Sequence, residues 1–207
     1  MSLPNLDNID VIYLDMDGVL VDLNAGVSDL LDIDVAKAAT HDKSFGLAWA
    51  RRHSIDDVDY ADDLVWRLIR ASGSDFWEHL DWAAHGKLLF MAAARRKKTT
   101  ILSSPADGGS AAGKMAWLRK HKRTIKALYG NTNDDYRKPP HRRFALSPSK
   151  EIYAHPRALL IDDHHKNINA FQKAGGHAVT WPQPWNSSEV TRGTIVRWLG
   201  EGNHELP

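Results

Sequence analysis

Cysteine is absent from the 207-residue chain. This absence excludes disulfide scaffolds, zinc–thiolate sites, iron–sulfur clusters and cysteine nucleophiles. Long apolar runs are also missing, since the longest, Leu88 to Ala94, is far shorter than the roughly 20 residues of a membrane-spanning helix. The first ten residues contain neither the basic nor the apolar stretch that opens an export signal. We therefore expect a cytoplasmic protein that does not bind membranes.

Net charge is nearly absent as well, because 27 Lys and Arg residues balance 26 Asp and Glu residues to give +1. The balance conceals a basic segment: residues 86–157 contain 17 basic and 4 acidic residues, a net charge of +13. Such a segment attracts phosphate-bearing ligands, nucleic acid included, although Lys and Arg also commonly end helices. With 43% hydrophobic and 26% charged residues, the composition is that of a globular domain and not of a disordered chain or coiled coil.

Short apolar runs bounded by polar or turn residues predict buried strands at Val11–Leu14, Thr99–Leu102, Ala158–Ile161 and Ala178–Thr180. Helical patterns alternate with these runs at residues 86–96, 113–121, 167–174 and 189–199, the last with Ser188 as its cap. Strands that alternate with helices form right-handed β-α-β units. The sequence therefore predicts an α/β fold, a Rossmann-like parallel sheet with helices on both faces.

Residues 22–85 do not follow this alternation and contain no convincing strand. Apolar residues from Val58 to Ile69 recur at the three-four spacing of an amphipathic helix, with Ser54 and Asp57 placed as a capping box. We predict a core domain made of residues 1–21 and 86–207, and a small helical cap domain of residues 22–85 inserted after the first strand.

The first predicted strand leads directly into Asp15-Met16-Asp17-Gly18. Residues two apart in a strand point the same way, so Asp15 and Asp17 can converge at the carboxyl edge of the sheet, where ligands bind in open parallel sheets. Two carboxylates this close repel each other unless one is protonated or a cation intervenes. The string also begins like a calcium-binding loop, but the twelfth residue of such a loop would be Gly26 where Glu is required.

Further polar residues follow the later strands. Ser103 and Ser104 follow the second strand, Asp162 and Asp163 follow the third, and Lys150 lies between them. Each has an ordinary explanation, since a strand-end Ser commonly forms a turn, a Lys is commonly exposed and an Asp pair commonly caps a helix. Together they supply a nucleophile, an acid/base, a cation, hydroxyl donors and oxygen ligands for Mg²⁺, which phosphoryl transfer requires.

In this order, DMDGVL, SSP, the Lys150 segment and LLIDD resemble the four motifs of the haloacid dehalogenase-like (HAD) phosphatases. Within that superfamily the chain is similar to the 5′(3′)-deoxyribonucleotidase family over residues 9–20 and 99–182. It departs from the family at Ser103, where Thr is usual, and at His164, where Arg is usual. Residues 22–85 do not align with the family.

The resemblance implies a Mg²⁺-dependent phosphomonoesterase that acts through an aspartyl-phosphate. Asp15 would be the nucleophile and Asp17 the acid/base; Ser103, Ser104 and Lys150 would bind the substrate phosphate. The metal would be held by the Asp15 carboxylate, the Asp17 carbonyl, Asp162 and Asp163. The expected partner is a small phosphate ester, a nucleoside monophosphate above all.

Aromatic residues in the predicted cap suggest how a base would be held. Phe76 and Trp77 lie in a stretch without helical periodicity and could stack against a nucleobase, or simply pack the cap onto the core. Two polar residues are weaker candidates: Lys114 for contacting phosphate and Asn167 for orienting the last Asp pair. No feature predicts an oligomeric state.

Two alternatives to nucleotidase activity remain at this point. One is a HAD phosphatase that acts on polynucleotide 3′ ends or sugar phosphates. The other is a non-catalytic nucleic-acid-binding protein that uses the basic segment, and its binding would weaken steeply with salt and be indifferent to Mg²⁺.

Overall fold

The computed structural model describes residues 3–38, 44–125, 143–186 and 188–201. Within these ranges five parallel strands form one sheet in the order β3-β2-β1-β4-β5. The strands are β1 (Val11–Leu14), β2 (Lys98–Ser103), β3 (Phe144–Leu146), β4 (Ala158–Asp162) and β5 (His177–Thr180). The predicted parallel α/β sheet is thus confirmed, with one addition. The edge strand β3 was not predicted because its three residues are too few to form a recognisable apolar run.

Four helices of the described residues cover the sheet: α5 (Gly86–Arg96), α6 (Gly108–Lys120), α7 (His165–Lys173) and α8 (Arg192–Glu201). Alternate residues of a strand serve opposite faces. Leu14 lies in the same apolar cluster as Phe90 of α5 and Ile195 of α8. Tyr13 instead packs on the cluster that contains Phe171 of α7. Both faces are therefore buried, as expected for an all-parallel sheet.

Three helix starts differ from the sequence prediction, and the smallest difference is in α7, which begins at His165 rather than 167. Helix α6 begins five residues before 113, because Asp107 and Ser110 form a capping box in which the Asp107 carboxylate accepts the Ser110 N–H at 2.7 Å. Helix α8 begins at Arg192 rather than 189, so Ser188 does not cap it. The Ser188 hydroxyl instead donates to the Thr180 and Val190 carbonyls.

Within its described part, the stretch 22–85 is mainly helical and contains no strand. It contains α1 (Leu23–Leu31), α2 (Ser44–His53), α3 (Val58–Ala71) and α4 (Gly73–Glu78). The predicted amphipathic helix is α3, but Asp57 alone caps it, accepting from the N–H groups of Asp59 and Tyr60 at 3.0 Å. Ser54 has a left-handed backbone, with φ +53°, so the predicted Ser54–Asp57 capping box is wrong.

The two segments through which the chain leaves and re-enters the core lie next to each other. Asp22 N donates to the Asp81 carbonyl and Ala83 N to the Leu20 carbonyl, each at 2.9 Å. This antiparallel pairing is the arrangement that an inserted segment needs, and the division into core and cap domains stays a prediction. No helix of the described residues is long and apolar enough to cross a membrane. Residues 126–142 of the basic segment lie outside the described ranges.

Candidate active site

The carboxyl ends of β1 and β4 meet at the point where the strand order reverses. From β1 the chain adds β2 and β3 on one side, then crosses to place β4 and β5 on the other. Open α/β sheets bind ligands in the crevice at such a switch point. Asp15 N donates to the Ile161 carbonyl at 3.0 Å, and Leu14 pairs with Ile161 in register. Asp15 and Asp162 therefore end neighbouring strands at one place.

Three carboxylates cluster at this crevice. Oxygen atoms of Asp15, Asp162 and Asp163 lie within 4.8 Å of one another, and all three residues are buried. Gly18 makes room for them, because a Cβ atom there would lie 2.4 Å from Asp163 Oδ2. Its φ of +73° is also the left-handed conformation that glycine adopts without strain. A cluster of hard oxygen donors fits Mg²⁺ or a similar divalent cation.

Lys150 lies between two of these carboxylates. It opens a short 3-10 turn, Lys150–Tyr153, and its side chain is 1% exposed. The Nζ atom is 2.6 Å from Asp15 Oδ1 and 2.6 Å from Asp162 Oδ2. Asp162 is held further by the His164 N–H at 2.8 Å and by the Asn167 amide at 3.0 Å. The nucleophile candidate is therefore fixed by a buried ion pair.

Asp17 belongs to a second ion pair, which is buried on its lysine side. Lys114, on α6, is fully buried, and its Nζ is 2.5 Å from Asp17 Oδ2. The same ammonium donates to Ser103 Oγ at 2.9 Å and to the Ser104 carbonyl at 3.0 Å. The Ser104 hydroxyl turns away and donates to the Ser147 carbonyl at 2.9 Å. The structure thus brings Asp17 and Ser103 together through Lys114.

Burial and mutual repulsion shift the acids of the site. Burial, followed by the charges of Asp15 and Asp162, raises the pKa of Asp163 well above its ordinary value. Burial and the Asp15 charge likewise raise the pKa of Asp162, and burial raises the pKa of Asp17 against the opposing pull of Lys114. Burial alone would lower the pKa of Lys150, but Asp15 and Asp162 outweigh it and raise that pKa. The site therefore has an excess of carboxylate over cation.

The charge count makes this excess explicit. Four carboxyl groups, those of Asp15, Asp17, Asp162 and Asp163, meet two ammonium groups. With every group ionised, the two carboxylate charges left unbalanced equal the charge of one divalent cation. Such a site suits a reaction in which an anionic group approaches carboxylates, because a bound cation offsets the repulsion.

Phe76 and Trp77 lie on α4, which replaces the non-periodic stretch expected from the sequence. Trp77 is only 2% exposed, and the centroid of its ring is 4.9 Å from Lys114 Nζ. The Phe76 ring lies edge-on to it at 5.1 Å and keeps part of its surface exposed. Contact between these rings and a nucleobase stays a prediction, and Phe76 is the residue of the pair with accessible ring surface.

Residues of the segment after β5 support the site, and sequence reasoning missed them. The Gln183 amide donates to the Gly18 carbonyl, and Arg192 donates to the Gln183 side chain. The Asn186 amide donates to the Asp163 carbonyl at 2.9 Å. The sequence of this segment, WPQPW at residues 181–185, is rich in Trp and Pro and contains no motif that would single out Gln183 or Asn186. Because Gly18 and Asp163 are more than 20 residues from the side chains that contact them, no local pattern could identify these two contacts.

Comparison with solved structures identifies the fold, whereas comparison with known sequences finds no match. No protein-family model and no curated protein sequence matches the chain. A haloacid dehalogenase-like hydrolase from Burkholderia xenovorans is similar in structure, with a TM-score of 0.51 at 13% identity over 91% of this chain and 96% of that chain. A haloacid dehalogenase-like family hydrolase from Xanthomonas campestris gives 0.50 at 13% identity, over 93% and 92%. The fold is therefore the HAD-like α/β fold, as the motifs predicted.

Proposed function

We propose that the protein is a divalent-metal-dependent phosphomonoesterase of the HAD type. The observation that carries the proposal is the carboxylate cluster of Asp15, Asp162 and Asp163 at the switch point, with the Lys150 ammonium between two of its members. A phosphate ester brought to this place meets a nucleophile, a cation and an acid/base without any further rearrangement of the sheet.

In the first step an Asp15 carboxylate oxygen attacks phosphorus in line with the ester oxygen. The bond between phosphorus and the ester oxygen breaks as the Asp15–phosphorus bond forms, giving an aspartyl-phosphate. Asp17 donates its proton to the departing alkoxide. The raised pKa of Asp17 supports this role, since burial favours the protonated carboxyl that a donor needs.

In the second step Asp17, now a carboxylate, takes a proton from water. The hydroxide attacks phosphorus, the bond to Asp15 breaks, and inorganic phosphate leaves. Lys150 contacts Asp15 directly, and the Ser103 hydroxyl is joined to Asp17 through Lys114, which supports a role for both residues in binding the phosphoryl oxygens. Ser104 has its hydroxyl on the Ser147 carbonyl, so its backbone is the part nearest to the site.

Asp15, Asp162 and Asp163 would hold the metal ion, together with the Asp17 carbonyl. When bound, the ion would offset the repulsion between Asp15 and the phosphate dianion. Mg²⁺ is the proposed ion because it prefers carboxylate and carbonyl oxygens.

The proposed substrate is a deoxynucleoside monophosphate, as in the 5′(3′)-deoxyribonucleotidases. The motif order and the aromatic pair on α4 support it, since Phe76 retains exposed ring surface to stack on a base. Polynucleotide 3′ ends and sugar phosphates are the competing substrates for the same chemistry.

A substrate panel with Mg²⁺ tests the proposal. Deoxynucleoside 5′- and 3′-monophosphates, a 3′-phosphorylated oligonucleotide and hexose phosphates should be compared in wild type, Asp15→Asn and the control Asp63→Asn on the exposed side of α3. We expect phosphate release from a nucleoside monophosphate, its abolition in Asp15→Asn and no change in Asp63→Asn. Undiminished release by folded Asp15→Asn protein would refute the role of Asp15. Salt-sensitive nucleic-acid binding without any hydrolysis would favour the non-catalytic alternative.

A further inference from the structure

We propose that Lys114 is a positioning residue that aims the acid/base Asp17 at the reacting oxygen, and that Trp77 of the inserted region holds Lys114 in place. This inference rests on the proposed function. It concerns a buried cation to which the mechanism above gives no role.

All N–H donors of the Lys114 ammonium are in use. A lysine ammonium has three N–H donors. Lys114 donates to Asp17 Oδ2, Ser103 Oγ and the Ser104 carbonyl, at distances of 2.5 to 3.0 Å. No donor is left for a substrate oxygen, so Lys114 acts through its neighbours rather than by gripping phosphate, the role that the sequence suggested for it.

The two oxygens of the Asp17 carboxylate differ in their partners. Within the described residues, Asp17 Oδ1 is buried and has no hydrogen-bond partner, whereas Oδ2 is held by Lys114. Fixing one carboxylate oxygen fixes the direction of the other. An unpartnered buried oxygen is costly unless something meets it during function, and a substrate oxygen at the crevice would meet it. The ion pair thus leaves Oδ1 to exchange the proton.

The Trp77 ring lies against the Lys114 ammonium. Its centroid is 4.9 Å from Nζ, within the range of a cation–π contact, and Lys114 is fully buried. Gly113 lets α4 come this close, because a Cβ atom there would lie 2.5 Å from Trp77 Cβ and 2.3 Å from the Ser74 carbonyl. The inserted region therefore contacts the acid/base through one aromatic ring and one ammonium.

The dependence of the rate on the leaving group tests this role. A good leaving group such as p-nitrophenolate needs little protonation, whereas an alkoxide needs an acid. The quantity to compare is kcat/KM, because it reports the steps up to departure of the leaving group and not hydrolysis of the aspartyl-phosphate. Lys114→Met keeps an unbranched side chain, one atom shorter, and removes its donors, and Lys120→Met changes an exposed residue of the same helix.

We expect Lys114→Met to lower kcat/KM for a nucleoside monophosphate by about 10²-fold, the lower end of what general acid catalysis contributes. For p-nitrophenyl phosphate the loss should be only several-fold, and Lys120→Met should leave both values unchanged. In an Asp17→Asn background, Lys114→Met should add little, because the residue acts through Asp17. Equal losses on both substrates, or independent losses in the double variant, would overturn the positioning role.

A second variant tests the positioning role of Lys114 if Lys114→Met does not fold. Trp77→Leu leaves Lys114 in place and removes the ring, so it should show the same leaving-group selectivity at smaller amplitude. No loss, or a loss equal on both substrates, would count against the proposal. These outcomes differ from a failure of the proposed function, in which wild type itself would hydrolyse neither substrate.

Discussion

Replacing Gly18 by Ala should damage activity far more than stability, because the added methyl group would displace a carboxylate of the site. The new Cβ atom would lie 2.4 Å from Asp163 Oδ2, about 1 Å closer than an ordinary van der Waals contact. Since the neighbour on the other side is a backbone turn, the Asp163 carboxylate has to move. A displacement of about 1 Å at a reacting site can lower a rate by about 10²-fold.

The same substitution also strains the backbone, and a matched control separates the two effects. An L-residue at φ +73° costs roughly 1–2 kcal/mol. Gly175 has a φ of +91° and nothing within 4 Å of its would-be Cβ, so Gly175→Ala carries the strain without the collision. Both variants should melt a few degrees below wild type, about 2–4 °C for each kcal/mol in a chain of this size.

The assays are thermal unfolding, kcat with the best substrate of the panel, and titration of activity with Mg²⁺. We expect similar melting temperatures for Gly18→Ala and Gly175→Ala. Only Gly18→Ala should lose kcat and need a higher Mg²⁺ concentration for half-maximal activity. If Gly18→Ala kept wild-type kcat and Mg²⁺ response, the placement of Asp163 at the reaction centre would be wrong.

Three further outcomes are expected. Lys150→Met should destabilise the fold by about 3–5 kcal/mol in denaturant unfolding, because it leaves two buried carboxylates without their cation, while the exposed control Lys166→Met should not. Burial, and then the Lys120 charge, lowers the pKa of His121 below 6.5, so the unfolded chain binds the proton more tightly; stability should be complete above about pH 6.5 and fall below it. In His121→Gln, melting between pH 8 and 5.5 should vary less than in wild type, and an identical profile would contradict this. Phe76→Ala should raise KM for a nucleoside monophosphate and not for a small phosphate ester; equal KM changes for both would remove Phe76 from base recognition.

Local patterns predicted most of the sheet. Four of the five described strands appear at the apolar runs, extended by one or two residues at most, because a buried parallel strand needs a continuous apolar stretch. The edge strand β3 could not be found this way, since Phe144–Leu146 is short and partly exposed. The start of α6 was missed because two glycines follow Asp107 and hide a helix that its capping box initiates.

The candidate residues of the site were predicted, but not their pairing. The sequence placed Asp15, Lys150 and Asp162 at strand ends or between strands, and parallel strands bring their carboxyl ends to one edge of the sheet. It also singled out Asn167, which does contact the Asp162 carboxylate. Nothing local indicated that Lys114, 97 residues from Asp17, would bind that acid and leave its other oxygen free.

The sequence by itself determined which side chains end each strand and hence which chemistry the chain carries, because strand periodicity and turn chemistry act over a few residues. Only the tertiary structure decided how those groups pair, which carboxylate each lysine meets and which aromatic ring covers Lys114. Those choices depend on the packing of α4 against α6 and on the Gly18 turn against Asp163, and both contacts join segments that are distant along the chain.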